Sequence, residues 1–266
     1  MLTSRDLPKA RVIGRGSTAA ILDWGHGEVL KTHVSPSYHF QHPEFSIKCL
    51  QREREVYELL GKNPNILEYY GILPLPDDGG APAIRLEKAS NGDLRTMLNR
   101  RQHDTKIRYK WVAQLCSALL HLHNHSIIHC DLSCRNVLLN DNLDVKLADF
   151  GGSAIPGKKA LVREETRSSL PRNSRTVDAS IQTDIFAFGS AVYEIFTGHV
   201  PYADKGSSQI PALYDKKEWP NLEGVEAKGI ILGCWEGKYS SMEALKTDLL
   251  LLDYTLVSWM SHGGVV

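Results

Sequence analysis

The chain has 266 residues, 42% of them hydrophobic, and 31 Lys and Arg are balanced by 31 Asp and Glu for a formal net charge of zero. That apolar content suffices for a packed core and argues against disorder, while the absence of a global basic field excludes nucleic acid and anionic membrane as expected partners. The five cysteines (Cys49, Cys116, Cys130, Cys134, Cys234) lack the paired short spacings of zinc or disulfide frameworks, so free thiols in a reducing intracellular compartment, the cytoplasm, are expected.

The opening stretch, MLTSRDLPKARV, has no apolar signal core. Residues 11 to 34 predict a hairpin and a third strand: RVIGRGSTAAILDW, a Gly-His-Gly turn, then EVLKTHV. Gly14 and Gly16 fall between two apolar runs, which suits a strand–loop–strand lid whose backbone approaches phosphates; an ordinary hairpin turn is the plainer reading. Lys31 stands inside a short apolar strand, where an ammonium group is costly unless paired. Its counter-ion is expected on the next helix, FSIKCLQREREVYELLG. That helix has apolar residues at 45, 49, 56, 57 and 60, and Glu53, Glu55 and Glu58 are all candidates. PNILEYYGI predicts a fourth strand, Pro74 to Pro82 a turn, and AIRLEKASNGDL a fifth strand leading to the helix DLRTMLNRR, which Asp93 is placed to cap. Residues 105 to 125 predict an amphipathic helix with Ile107, Trp111, Leu115, Leu119 and Leu122 along one stripe. His121, His123 and His125 near its end have alternate spacing, which scatters them around a helix, so they are expected at the surface or the C-cap rather than on a metal.

The densest chemistry lies in residues 127 to 151, IIHCDLSCRNVLLNDNLDVKLADFG. Two short apolar runs joined by Asn140-Asp141-Asn142 predict a hairpin that sets Asp131, Asn136 and Asp149 around one pocket. This array resembles the catalytic loop and magnesium loop of protein kinases, which implies one carboxylate to take a hydroxyl proton and an amide with a second carboxylate to hold magnesium against a triphosphate. Residues 152 to 172 are polar, basic and irregular, as any solvated loop would be; by resemblance this is where protein kinases keep the activation segment, which makes Thr166, Ser168 and Ser169 candidate phosphorylation sites. IQTDIFAFGSAVYEIFTGHVPY predicts a buried helix with a Gly cap; LYDKKEWPNLEGV and GIILGCW continue a helical region, and LLLLDYTLV is too short to span a bilayer.

In order and spacing, residues 10 to 250 resemble a eukaryotic protein kinase, and the tail motifs LYDKKEWPNL and GCWEGKYSSMEAL look most like compact, divergent kinase-like proteins of filamentous fungi. The resemblance implies one two-lobed α+β domain over residues 1–266. Residues 1–87 would form a small, mainly antiparallel β lobe with one long helix, and 88–266 a larger, mainly α-helical lobe. It implies ATP and Mg2+ as cofactors, a protein substrate, and a monomer. By the same resemblance Lys31 grips the α- and β-phosphates. Glu53 positions it, because Val56, Tyr57 and Leu60 follow at the family's spacing. Gly14, Gly16 and Leu138 belong to the nucleotide site, Ile21 and Val29 roof the adenine, and the backbone of Glu87 and Ala89 reads its edge behind Leu86. Asp93 becomes a ribose contact as an alternative to a cap. Asp131 is the base, Asn136 and Asp149 hold magnesium, Asp184 anchors the catalytic loop, and Tyr57, Tyr69, His129 and Phe150 stack as a spine between lobes.

The sequence departs from the pattern in several places. Ala19 stands for the third glycine of the lid, and Cys130 for the arginine that meets a phosphorylated activation segment. Ser133 stands for the lysine that contacts the transferred phosphate; Arg135 fills that role as in tyrosine kinases, which leaves Ser/Thr and Tyr both open as acceptors. Leu170-Pro171-Arg172 replaces Ala-Pro-Glu, and Lys238 stands where that Glu's arginine partner is expected, so both members of a usual pair have changed. The implied activity is Mg-assisted transfer of the γ-phosphoryl group of ATP to protein hydroxyls. The alternative is a pseudokinase scaffold that binds nucleotide without catalysis.

Overall fold

The computed structural model describes residues 11–33, 43–74, 82–100, 103–172 and 178–261. Strands β1 (Arg11–Arg15), β2 (Ala19–Gly25), β3 (Glu28–His33), β4 (Tyr69–Leu73) and β5 (Ala83–Glu87) form one sheet in the order β1-β2-β3-β5-β4, every pair antiparallel. The β2–β3 turn needs left-handed backbone at three successive residues: Gly25 and Gly27 (φ 81° and 77°) take it without strain, and His26 sits between them at φ 53°. Side chains alternate across the sheet. Leu22, Trp24, Leu30 and Ala83 pack together on one face, while register pairs Ile21 with Lys31 and Val29 with Leu86 on the other.

Helix α1 (Pro43–Leu60) packs through Leu50, Val56, Tyr57 and Leu60. Phe45, expected on that face, is 39% exposed: it lies in the first turn, and burial begins only at Ser46, whose hydroxyl donates to the Thr18 carbonyl, and Cys49. The fourth strand starts later than PNILEYYGI predicts. Residues 64–68 do other work, since Leu147 N donates to the Asn65 carbonyl (2.8 Å) and Leu67 N to the Leu147 carbonyl (2.9 Å), tying this stretch to the large lobe. Of the turn expected over Pro74 to Pro82, residues 75–81 lie outside the described residues, as do residues 1–10 with most of the opening stretch.

The large lobe contains α2 (Leu94–Arg100), α3 (Thr105–Asn124), the hairpin β6 (Val137–Leu139) and β7 (Val145–Leu147), then α4 (Ile181–Thr197), α5 (Ile210–Asp215), α6 (Lys228–Trp235) and α7 (Met242–Ser261). Asp93 caps α2: its carboxylate accepts from Thr96 N (2.9 Å) and Thr96 Oγ1 (2.8 Å). Asp104 caps α3, which buries Trp111, Leu115, Leu119 and Leu122, with Ile107 half-buried. Helix α4 is the hub of the lobe. A Ser180–Thr183 capping box starts it, Gly198 (φ 75°) ends it, and Phe186 and Phe188 are fully buried on it. The histidine expectation needs correction at His123. Its side chain is buried between α3 and α4, with Nε2 3.0 Å from Asp184 Oδ2, because the end of α3 packs on the start of α4. His121 contacts the Leu60 carbonyl (2.9 Å), and only His125 is a C-cap. Among the described residues no His, Cys, Asp and Glu side chains gather as a metal cluster, and no helix is long and apolar enough to cross a membrane. All five cysteines are free and buried.

Candidate active site

Between the sheet and the β6–β7 hairpin lies a cavity of about 440 Å³, lined by Gly14, Gly16, Ile21, Val29, Lys31, Glu53, Glu87, Ala89, Asn136, Leu138 and Asp149, together with Leu86 and Asp93. Asp131 alone among the expected site residues is not in that lining; it borders the cavity through Asn136. A Cβ at Gly14 would meet Ile21 at 3.5 Å and one at Gly16 the Ala19 carbonyl at 3.8 Å, ordinary contacts. The fold therefore does not demand glycine at either position. What the missing side chains provide is an unobstructed wall beside the cavity.

Lys31 Nζ sits 2.5 Å from Glu53 Oε2 and 2.8 Å from Asp149 Oδ1. Of the three candidate glutamates Glu53 is thus the partner, whereas Glu55 pairs with Lys158 (2.7 Å) and Glu58 with Arg54 (2.8 Å) at the surface. Burial opposes the charge on Lys31, yet the carboxylates of Asp149 and Glu53 together hold its ammonium well above the usual lysine range. Lys31 in turn keeps the Asp149 carboxyl below the usual range against the opposing effect of burial. Burial pushes Glu53 up to about 7, partly offset by Lys31, and its Oε1 has no partner among the described atoms.

The segment before β6 is held from α4. Asp184 Oδ2 accepts from His129 N (2.8 Å) and Oδ1 from Cys130 N (3.1 Å), fixing a loop in which Cys130 takes φ 68°. This is the anchoring expected of Asp184. The His129 ring accepts from Asp131 N at Nδ1 (3.2 Å) and donates from Nε2 to the Ala148 carbonyl (3.1 Å). That is the neutral tautomer, consistent with burial lowering its pKa. Asn136 Nδ2 donates to the Asp131 carbonyl (2.7 Å) and to Asp131 Oδ2 (3.2 Å). Its amide nitrogen is thereby committed, and the amide oxygen is the atom left for a cation. With the Asp149 carboxylate, whose side chain is 44% exposed, it offers hard oxygen donors of the kind magnesium takes, so the residues fit that ion. Burial and the nearby Asp149 charge push the Asp131 carboxyl up to about 7. The Glu87 side chain turns away to Lys146 (2.9 Å), leaving its backbone along the cavity.

Four rings connect the sheet to this loop. Tyr69 stacks on Tyr57 (5.5 Å), Tyr57 meets Phe150 edge-on (5.0 Å), and Phe150 meets His129 (5.4 Å).

The segment after Asp149 holds most of the corrections. Arg172 and Lys238 each find a separate carboxylate: Arg172 binds the buried Glu164, and Lys238, largely exposed, binds Asp248 (2.5 Å). Ser168, a candidate phosphorylation site, is only 5% exposed, whereas Thr166 is exposed. Two groups had no place in the sequence reading. Arg52 of α1 donates to the Ser153 and Lys159 carbonyls (2.9 Å to the latter), and Arg95 of α2 grips Glu194 of α4 through Nε (2.6 Å) and a terminal nitrogen (3.0 Å). A guanidinium on the otherwise charged face of α1 gives no hint of carbonyl partners a hundred residues away; Glu194 inside an apolar helix was the one readable signal that a cation lay near.

The sequence profile of the family described as protein tyrosine and serine/threonine kinase matches residues 39–247. The chain is 28% identical over 221 residues to serine/threonine-protein kinase KIC1 of Saccharomyces cerevisiae, covering 81% of this chain and 20% of that protein. It is 32% identical over 183 residues to mitogen-activated protein kinase kinase kinase 13-B of Xenopus laevis, 64% of this chain and 18% of that one. It is 31% identical over 214 residues to the tyrosine-protein kinase receptor svh-2 of Caenorhabditis elegans, 74% of this chain and 20% of the receptor. The chain thus spans about a fifth of the length of these curated relatives.

Proposed function

The chain belongs to the protein tyrosine and serine/threonine kinase family, and from that premise we propose that it is an active protein kinase that transfers the γ-phosphoryl group of ATP to serine or threonine, or tyrosine, hydroxyls of a protein. The domain comprises residues 1–266, with lobes meeting between Glu87 and Lys88. The observation that carries this reading is the joined pair of contacts at Lys31, 2.5 Å to Glu53 and 2.8 Å to Asp149, above an Asp131 hydrogen-bonded to Asn136. A scaffold that binds nucleotide would keep the Lys31 contacts as well; the residue that separates the two readings is Asp131, held by Asn136 beside them.

Lys31, already protonated and oriented by Glu53, binds the phosphates. Ile21, Val29 and Leu138 sandwich the base, and the backbone at Glu87 and Ala89 reads its edge. Asp131 accepts the proton of the acceptor hydroxyl. Asn136 and Asp149 hold Mg2+, which when bound neutralises phosphate charge. Catalysis of this kind is mostly positioning and electrostatics, and Asp184 and the ring stack supply the positioning.

The test is magnesium-dependent transfer of labelled phosphate to generic protein substrates, followed by phospho-amino-acid analysis. Asp131→Asn is expected to keep nucleotide binding and to cut transfer by roughly a hundredfold or more. A parent protein that binds nucleotide but transfers nothing under varied conditions would be a scaffold instead.

A further inference from the structure

We propose that a second cavity, which shares only Leu67 with the nucleotide site, binds a small aromatic carboxylate, with the Lys146 ammonium receiving the carboxylate and Lys62 at the rim. This site stands apart from the one proposed above and needs no phosphoryl transfer. Its volume is about 350 Å³. Tyr57 of α1, residues of the connection between Gly61 and Glu68, and Tyr69 of β4 line it from the small lobe, and Lys146 of β7 lines it from the large one. Small-molecule sites favour volumes of this size and junctions of this kind. The wall is preformed, because main-chain hydrogen bonds from Leu147 N to the Asn65 carbonyl and from Leu67 N to the Leu147 carbonyl pin the connection to β7. Pro64, Ile66 and Leu67 supply apolar surface beside the stacked rings of Tyr57 and Tyr69, whose planes lie within 10° of each other. That surface suits a flat ring system.

The polar groups of the lining decide what the ring carries. Its described side-chain acceptors are already in use. Glu68 accepts from Lys62 at Oε1 and from the Tyr70 hydroxyl at Oε2 (3.5 Å), and Asn63 Oδ1 accepts from Asn65 N (2.9 Å). Donors, by contrast, are in surplus. Lys146, 13% exposed at its side chain, has three N–H groups and one carboxylate beside it, Glu87 Oε2 at 2.9 Å, and that oxygen also accepts from Glu68 N (3.2 Å). Lys62 is 86% exposed and turns one N–H to Glu68. A ligand amine would therefore meet two ammonium groups and acceptors already committed. A carboxylate gives Lys146 a second, charge-assisted acceptor. One negative charge suffices, since each ammonium already has a carboxylate beside it, so a carboxylate suits the site better than a phosphate.

The experiment titrates the full chain with three probes of one shape, 2-naphthoate, 2-naphthylmethanol and 2-naphthylmethylamine, by ligand-observed NMR. Naphthoate is expected to bind about tenfold more tightly than the alcohol, near the lower end of what a hydrogen bond to a charged group contributes, and the amine least. Lys146→Gln should bring the naphthoate-to-alcohol ratio close to one; a ratio taken within one variant cancels any general loosening of the fold. Lys62→Glu changes an exposed side chain, so it reads the same site even where Lys146→Gln shows no cooperative melt, and it should weaken naphthoate about threefold. Lys31→Met, in the nucleotide cavity, should leave the ratio as it was. Equal affinity for the three probes, or a ratio that neither Lys146→Gln nor Lys62→Glu lowers, overturns the inference. So does a ratio lost in Lys31→Met and kept in Lys146→Gln, which would put the probe in the nucleotide cavity. Each of these results leaves the kinase reading untouched, and a chain that transfers no phosphate still has this site to test.

Discussion

Lys31 is a charge kept inside the protein by two acids from different elements, and removing either acid has separate consequences. Glu53→Gln takes away the contact to α1 while Asp149 remains, so the ammonium is misplaced rather than abandoned. Turnover is expected to fall about tenfold or more, roughly 1.4 kcal/mol in the barrier. Glu55→Gln, at an exposed pair of the sort that contributes about 0–1 kcal/mol, should change turnover by less than about twofold. Lys31→Met should weaken nucleotide binding in a direct titration. Equal losses from Glu53 and Glu55 would contradict the contact at Lys31. These residues were legible because an ionised group in an apolar strand needs a partner, and the match of Val56, Tyr57 and Leu60 to the family's spacing picked out one of three candidate glutamates. His123 was not legible, since its burial depends on Asp184, 61 positions away. Arg52 was not either, because its acceptors are main-chain carbonyls, which any sequence would supply.

The segment between Asp149 and α4 is the element that departs furthest from the sequence expectation. With Cys130 in place of a cation, a phosphate on Thr166 or Ser169 has no positive neighbour at the position before Asp131. The segment instead already carries two acids in paired positions: Glu164 holds Arg172, and Glu165 bridges towards Arg95 and Arg135. A switch shifts an equilibrium only by its differential interaction with the two states, and here that interaction is largely present without modification. Phosphatase-treated protein, and the variant with Thr166, Ser168 and Ser169 all changed to Ala, should therefore keep most of their activity. A drop of about tenfold or more would show that another cation takes the phosphate. Glu165→Ala should loosen the segment, read as faster amide exchange over residues 160–172. The position of this segment was legible from its polar, basic composition. Its internal pairing was not, because Glu164 turns to Arg172 of its own segment while adjacent Glu165 reaches Arg95 on α2 and Arg135, a division set only once α2 is packed.

Across the whole molecule, the small sheet and the helical lobe are joined by the ring stack and by the backbone exchange of Asn65 and Leu67 with Leu147. Phe150 is fully buried at the centre of the stack, touching Tyr57 on one side and His129 on the other. Phe150→Ala is expected to cost about 3–5 kcal/mol, the range for large aromatic truncations in a core, which urea unfolding would measure. A loss below about 1 kcal/mol would mean that the lobes close over the gap or do not depend on the stack. The α+β class was readable from the run of strands followed by helices, and its division into two lobes from the family resemblance. The delayed start of β4 was not, since apolar residues 66 and 67 suit a strand equally well whether they pair within the sheet or reach across to β7.

The five cysteines, all unoxidised and all inside, make the protein its own reporter of opening. Burial pushes the Cys49 thiol up to about 11 and Cys116 up to about 12, so at neutral pH neither presents thiolate to an alkylating reagent while the fold is closed. Cys49 sits on α1 beside Gly151, whereas Cys116, Cys130, Cys134 and Cys234 are distributed through the larger lobe. Smaller cores open at lower free energy, so timed alkylation read by mass spectrometry should register Cys49 ahead of the other four. Added nucleotide and magnesium, clamped between the lobes, should slow that first event most. All five labelled in step would instead mean that the chain breathes as a single body.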